Sequence, residues 1–423
     1  MSTIKVLSDK RQINSELHVT VKKNNKQKHM IKVDLVFAPR LSSPNGDSRV
    51  VRAFLESDDF YKSQAIDLSV ISADLFHEKD VDLSKKSSKK SLKIFLKKVI
   101  PYSSYLTVRY LKSAEKKKEH IVDYYLSTDA DADVLFFHEL STCYYYLKKR
   151  INTKAKIVLV IHSNGDSFKM LHIYYPKLAK TKYFKYLVDV EKEVMSSVDR
   201  LGFVAKNAME RFGNFNPHYD QKKLFYVYNG IGNTADTKRA DKLKDLPAKY
   251  TFYCAGSITK RKGQELIISA FNRLSAEEKA QFNITFLGDG AEKARLENFV
   301  KTNKLDQQIF FEGFVNDVTR YLTQSNGFIL TSYDEGLPIA IIEALRLGLP
   351  IISTNVGGIP EMVVDKYNGF LIEPNEDEVY QVLKKLSQYD LNELGDNALK
   401  MYEEKFTQNA MFRNYANIFS SLN

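Results

Sequence analysis

Residues 327–354 read GFILTSYDEGLPIAIIEALRLGLPIIST. The opening run GFILTS (327–332) has the length and apolarity of a buried strand, and LPIIST (349–354) repeats that pattern. Between them, Pro338 suits the first turn of a helix, where its missing N–H has no intrahelical partner to lose. The helix is expected to run to Leu347 and stop at Gly348, with Pro350 just beyond. Strand, helix, strand at this pitch is the unit of a parallel sheet covered on both faces. The alternation extends in both directions, through TFYCAG (251–256), NITFLG (283–288), QIFFEG (308–313) and FLI (370–372). A noisier version occupies the first half: IKVDLVFA (31–38), DVLFFH (133–138), KIVLVIH (156–162), RLGFVA (200–205) and KLFYVYNG (223–230), with a helix over 183–198. The polar, aperiodic stretch 232–250 separates the halves. The chain therefore reads as α/β, with two doubly wound domains, 1–235 and 236–405. Residues 406–423 form a last helix that packs back on the first domain. Loops at the carboxyl ends of both sheets then face a cleft, where ligands of such sheets bind.

Composition agrees with this reading. The 423 residues are about three times the ~150 typical of one domain. Apolar residues at 43% and charged residues at 27% are ordinary for a folded chain, and 12% aromatics exclude global disorder. The two cysteines, Cys143 and Cys254, fall in different domains and read as reduced core thiols. No apolar run approaches the ~18 residues of a spanning helix, and the first residues lack a signal-peptide core, so a cytoplasmic chain is expected. Residues 85–118 hold twelve Lys or Arg against one acid, Glu115, and so carry the whole net charge of +11. Within them KKSLKIFLKKVI (89–100) reads as a helix with an apolar stripe, Leu92, Phe95, Leu96 and Val99, between lysines. Such a segment suits the anionic inner face of a cell membrane or an anionic acceptor. Without base-reading motifs, nucleic acid is not expected.

The N–H groups of Gly336, Leu337, Ile339 and Ala340, with Pro338 between them, open a helix towards the cleft, where they suit an anion such as a diphosphate. Glu335 precedes that helix, and Glu343 lies in its otherwise apolar body. Carboxylates flanking a phosphate site are costly unless they bind hydroxyls of a sugar or ribose. Lys262, in the run Lys260-Arg261-Lys262-Gly263, is a compact charge at a loop tip. Gly288 and Gly290 bracket a turn, and Lys293 in place of a third glycine disfavours a nicotinamide or flavin site. His162 and His138 each end an apolar strand, and no His/Cys/Asp/Glu cluster has metal-ligand spacing.

The stretch from Glu335 to Glu343 resembles the E-x7-E motif of retaining glycosyltransferases of family 4 (glycosyl transferases group 1). The collinear segments Gly256–Gly263, Leu287–Gly290, Gly313-Phe314-Val315, Asn355–Glu361 and Asn368–Leu371 resemble further motifs of that family. The resemblance implies a GT-B fold, two Rossmann-like domains facing each other across a cleft. It implies transfer of a hexose from a nucleoside-diphosphate sugar to an acceptor hydroxyl, with UDP-glucose or UDP-N-acetylglucosamine the commonest donors. It also implies a role in bacterial surface polysaccharide or glycoconjugate synthesis; with no metal-ligand spacing and no D-x-D in a plausible metal loop, no required metal is expected, and no cofactor besides the sugar nucleotide. By the same resemblance, Glu335 holds donor-sugar hydroxyls, Lys262 and Arg261 the diphosphate, Phe314 the base and Glu343 the ribose. Ser257 stands where many members have Arg. Gly46, in the loop Ser43–Arg49, approaches the diphosphate, His162 lies beside the donor sugar, and His138 lies on the acceptor side. The alternative is a non-catalytic subunit of this fold that regulates a partner transferase.

Overall fold

The structure is a computed structural model that describes residues 30–43, 46–76, 100–128, 131–150, 154–165, 168, 171, 175–233 and 248–422. Of the lysine helix expected at 89–100, residues 89–99 lie outside these residues, as do residues 1–29 and most of the linker.

The first sheet has six parallel strands: β1 (Ile31–Phe37), β2 (Ile66–Ser72), β3 (Val134–Phe137), β4 (Lys156–Ile161), β5 (Arg200–Phe203) and β6 (Leu224–Tyr226). Their order is β2-β1-β3-β4-β5-β6. The second sheet has β7 (Tyr250–Ala255), β8 (Phe282–Leu287), β9 (Ile309–Gly313), β10 (Gly327–Leu330), β11 (Ile351–Thr354) and β12 (Gly369–Ile372), in the order β12-β11-β10-β7-β8-β9. Every neighbouring pair in both sheets is parallel. Strands β3, β7, β10 and β11 are buried along their whole length, which is why they read as unbroken apolar runs. Strand β2, absent from the sequence reading, is an edge strand paired only with β1, so half of its side chains need not be apolar.

The helices that shape the cleft are α1 (Gly46–Leu55), α2 (Ser104–Leu126), α3 (Leu140–Lys149), α4 (Lys206–Phe215), α5 (Gln264–Asn272), α6 (Ile339–Arg346), α7 (Leu391–Lys405) and α8 (Gln408–Ser420). Helix α2 also escaped the sequence reading. It buries only Thr107, Ile121, Val122 and Tyr125, so its apolar stripe is sparse, and its start is set by the Ser103 hydroxyl accepting from Leu106 N–H. No described helix is long and apolar enough to cross a membrane.

The chain leaves the first domain near Ile231 and returns beside the same point. Ile231 bridges Thr407, its N–H donates to Phe406 and its carbonyl accepts from Gln408. Helix α8 then sets Phe412, Tyr415 and Phe419 against Phe54, Tyr61 and Phe136 of the first domain. Both cysteines are buried and free.

Candidate active site

The carboxyl ends of β7 and β10 meet at Glu335. Its side chain is 7% exposed and takes hydrogen bonds from Lys262 Nζ, from Arg261 Nη1 (3.2 Å) and from Ser332 Oγ (2.6 Å). Burial alone raises the Glu335 carboxyl, but the Lys262 and Arg261 charges and the bonds from Lys262 and Ser332 outweigh it and hold it below the ordinary carboxylate value. One carboxylate beside two cations leaves an excess positive charge at the mouth of α6. Cys254 lies below, its thiol pushed up to about 12 by burial.

Helix α6 starts at Ile339 with Pro338 as its cap residue, one position later than the sequence suggests. Leu337 and Ile339 are buried, so they hold the turn in place while its amides open on the cleft. Gly288 has φ +155°, and a β-carbon there would lie 1.9 Å from the Gly256 carbonyl; one at Gly290 would lie 2.1 Å from that of Ile258. The two glycines thus serve to interlock the loops after β7 and β8. Ser257 is exposed, and its carbonyl accepts from the buried Gln264 of α5. Phe314 is exposed at the end of β9.

From the first domain, Gly46 opens α1 instead of lying within a loop, and a β-carbon on it would come 3.4 Å from Ile339 Cγ1. The N-termini of α1 and α6 therefore face each other, and both favour negative charge. Glu343 pairs with Arg49 of α1, a contact between residues 294 positions apart. Burial raises the Glu343 carboxyl, opposed by Arg49 and Arg346. His162 follows β4, its carbonyl pressed against Gly336 and its Nδ1 3.4 Å from Asp47 Oδ1. His138 is not on the cleft surface: it is 3% exposed and lies behind His162, with Nδ1 2.6 Å from His162 Nε2.

The site also uses residues to which the sequence reading gave no role. Asn164 Nδ2 reaches Asp334 Oδ1 at 3.4 Å. Glu361 accepts from the Lys206 and Asn207 amides at the start of α4 and from Tyr228 Oη, clasping the two domains together. The orphan amides of a helix N-terminus call for such a partner, but its identity is visible only in three dimensions. Among the described residues, no group of three or more His, Cys, Asp or Glu is placed to hold a metal ion.

Residues 236–402 match the family model of glycosyl transferases group 1. WclY of Escherichia coli, an O-antigen biosynthesis glycosyltransferase, is 27% identical over 229 residues, covering 53% of this chain and 62% of that protein. A putative colanic acid biosynthesis glycosyltransferase, WcaL of Escherichia coli K12, is 30% identical over 214 residues, 48% of this chain and 52% of that one. The matches thus span between half and two thirds of these relatives. Among solved structures, HepE from Anabaena in complex with UDP superposes with a TM-score of 0.62 at 14% identity, covering 93% of this chain and all of the other. Sucrose-phosphate synthase from Thermosynechococcus elongatus gives 0.67 at 16% identity, covering 93% and 99%. The fold is GT-B: two Rossmann-like domains flanking a cleft.

Proposed function

We propose that this protein is a retaining glycosyltransferase that moves a hexose from a nucleoside-diphosphate sugar to an acceptor hydroxyl. We place it in the assembly of a bacterial surface polysaccharide or glycoconjugate. The carrying observation is the meeting of Lys262, Arg261 and Glu335 at the mouth of α6, directly opposite Gly46, Asp47 and His162. A diphosphate leaving group needs preorganised positive charge in a site that excludes water. Lys262, Arg261 and the amides of α6 supply it without rearrangement of the backbone. Glu335, turned from its cationic partners, receives hydroxyls of the donor sugar, and Glu343 receives those of the ribose. The exposed Phe314 ring suits the base. The acceptor oxygen attacks on the face from which the diphosphate departs, so no enzyme nucleophile is assigned. The names of WclY and WcaL support the pathway, and the UDP bound to HepE supports a uridine donor.

A panel of UDP-, GDP- and ADP-sugars, screened by thermal shift and by nucleotide release in excess EDTA, tests this reading. One donor should raise the melting temperature and be turned over with EDTA present. Loss of turnover in EDTA, restored by Mg²⁺ or Mn²⁺, would show that a metal is required. Donor binding without turnover on any acceptor would favour a regulatory subunit. In the same assay, Glu343→Ala should weaken donor binding by about 1–3 kcal/mol, as for a lost hydrogen bond to a charged group. Unchanged affinity would remove Glu343 from the donor site.

For the acceptor side, a cavity of about 240 Å³ lies where β1 ends, between Ala38, Pro39 and Tyr110, Lys117 and Lys118 of α2. It adjoins one of about 420 Å³ lined by Tyr105, Arg109, Lys112 and Lys116, with Ser113 common to both. This exposed, basic and tyrosine-bearing face is formed by the described part of the lysine-rich segment 85–118, and we assign it to peripheral docking on an anionic inner membrane surface. Each basic residue near such a surface adds about 1 kcal/mol. Binding to liposomes should therefore require anionic lipid, fall steeply with salt and weaken in an Arg109→Gln, Lys112→Gln, Lys116→Gln variant. Binding to neutral liposomes alone, or to none, contradicts the assignment.

A further inference from the structure

We propose that His138 is a positioning residue that fixes the tautomer of His162, so that His162 meets substrate only as a hydrogen-bond donor through Nδ1. The tautomer assignment stands on geometry alone, and its consequence for substrate rests on the glycosyl-transfer reading.

The two rings share one hydrogen bond, from His138 Nδ1 to His162 Nε2 or the reverse, at 2.6 Å. A single proton lies between them, and its owner follows from the two outer nitrogens. The outer nitrogen of His138, Nε2, is buried with no hydrogen-bond partner among the described residues. The His138 ring is surrounded by aromatic rings, with the centroids of Phe136, Phe54 and Tyr415 4.4, 5.9 and 6.3 Å from its own. The outer nitrogen of His162, Nδ1, faces Asp47 at 3.4 Å.

Were the shared proton on His162 Nε2, His138 would carry its own on Nε2, as a buried donor with nothing to receive it. His162 Nδ1 would then turn a bare lone pair towards the Asp47 carboxylate. Both features are unfavourable. With the shared proton on His138 Nδ1, the buried Nε2 is a bare ring nitrogen, the cheaper species to enclose, and His162 Nδ1–H points at Asp47. The order Asp47, His162, His138 is thus a directed relay whose inner end is set by an aromatic cage that offers His138 Nε2 no hydrogen bond. Burial, with the His162 ring beside it, holds His138 well below its ordinary value, so it stays neutral and keeps this role.

The cage is completed from the far end of the chain, because Tyr415 belongs to α8. The other ionisable groups around the relay are Glu139, tied to Ala38 N–H and Thr142 Oγ1, and, across the cleft, Asp334 and the Glu335–Lys262–Arg261 group. The His162 carbonyl abuts Gly336, so the backbone that carries the ring is fixed as well. Asp47 is half exposed, and its 3.4 Å contact is the loose end of the relay. A sugar hydroxyl entering there accepts from Nδ1–H in place of the carboxylate or together with it.

Two-bond ¹H–¹⁵N spectra of protein labelled on histidine separate the two tautomers without any substrate, and the spectrum of His162→Asn assigns the signals. The parent should show Nδ1–H for both His162 and His138. His138→Phe fits the aromatic cage but removes the donor, and it should release His162 into a mixture containing Nε2–H. His138→Asn keeps an amide donor near the Nδ1 position and should retain the parent tautomer. In donor turnover, His138→Phe should lower kcat by about tenfold with little change in KM, the scale of one lost hydrogen bond, and His138→Asn should restore most of the loss. Nε2–H on His162 in the parent, or a tautomer unmoved in His138→Phe, overturns the proposal. So does a kcat unaffected by a changed tautomer. If the parent turns over no donor, the glycosyl-transfer reading fails, while the spectra still decide the tautomer.

Discussion

Lys262→Ala is expected to lower sugar transfer by at least ~100-fold, the scale of losing one preorganised charge at a developing anion. The ammonium sits in a buried group with Glu335 and Arg261, where water screens it little. The same burial gives the substitution a second effect. Glu335 retains Arg261 and Ser332, so no charge is left unpaired, but it loses one hydrogen bond to a charged group, which costs about 1.5–3 kcal/mol of stability. A fall in activity could then reflect a damaged fold. The variant Lys262→Met keeps most of the apolar stem and removes only the charge, and its melting temperature should stay close to the parent's while turnover falls as far as in Lys262→Ala. Acid sensitivity offers a further check. The folded Glu335 carboxyl lies below its ordinary value of 4.5, so the group stabilises the fold above that value and loses its contribution as pH falls through the lowered one. In Lys262→Ala this acid-side loss should shrink. Normal turnover in a well-folded Lys262→Ala protein would exclude Lys262 from the chemistry.

Gly336→Ala should have an effect of similar size for a different reason. A β-carbon there would fall 2.1 Å from the His162 carbonyl oxygen and 3.1 Å from its carbon, both backbone atoms of the opposite domain. Neither can rotate away, so the loop 334–338 must retreat from His162 or the domains must part. Misplacement of about 1 Å between catalytic groups costs on the order of 100-fold. Each sheet is untouched, so far-ultraviolet circular dichroism should match the parent, while small-angle scattering should report a wider molecule. Full activity in this variant would mean that transfer does not need the loop against His162.

Much of the fold was legible because parallel strands covered on both faces must be apolar throughout, as in VLFF (134–137) and KIVLVI (156–161). Where that constraint relaxes, legibility was lost. Strand β2 needs only part of its surface apolar because it lies at an edge, and α2 buries only four of its 23 residues. The residues gathered at the mouth of α6 were legible for a related reason. Lys262, Glu335 and Glu343 stand at strand ends and around a helix start whose Pro and Gly residues punctuate the chain.

Sequence by itself determined the two doubly wound domains, the turn that opens α6 and the residue types gathered around it, because these depend on local periodicity and backbone chemistry. Tertiary structure alone decided which charges meet. Arg49 reaches Glu343 across 294 positions, Asp47, His162 and His138 line up from three separate strand–helix units, and Glu361 finds the amides of α4 and the hydroxyl of Tyr228. Such pairings carry no local signature. The relay arises where loops after three strands of the first sheet end side by side, and the other two arise where the domains meet, so that buried polar groups on each side are satisfied by what the other presents.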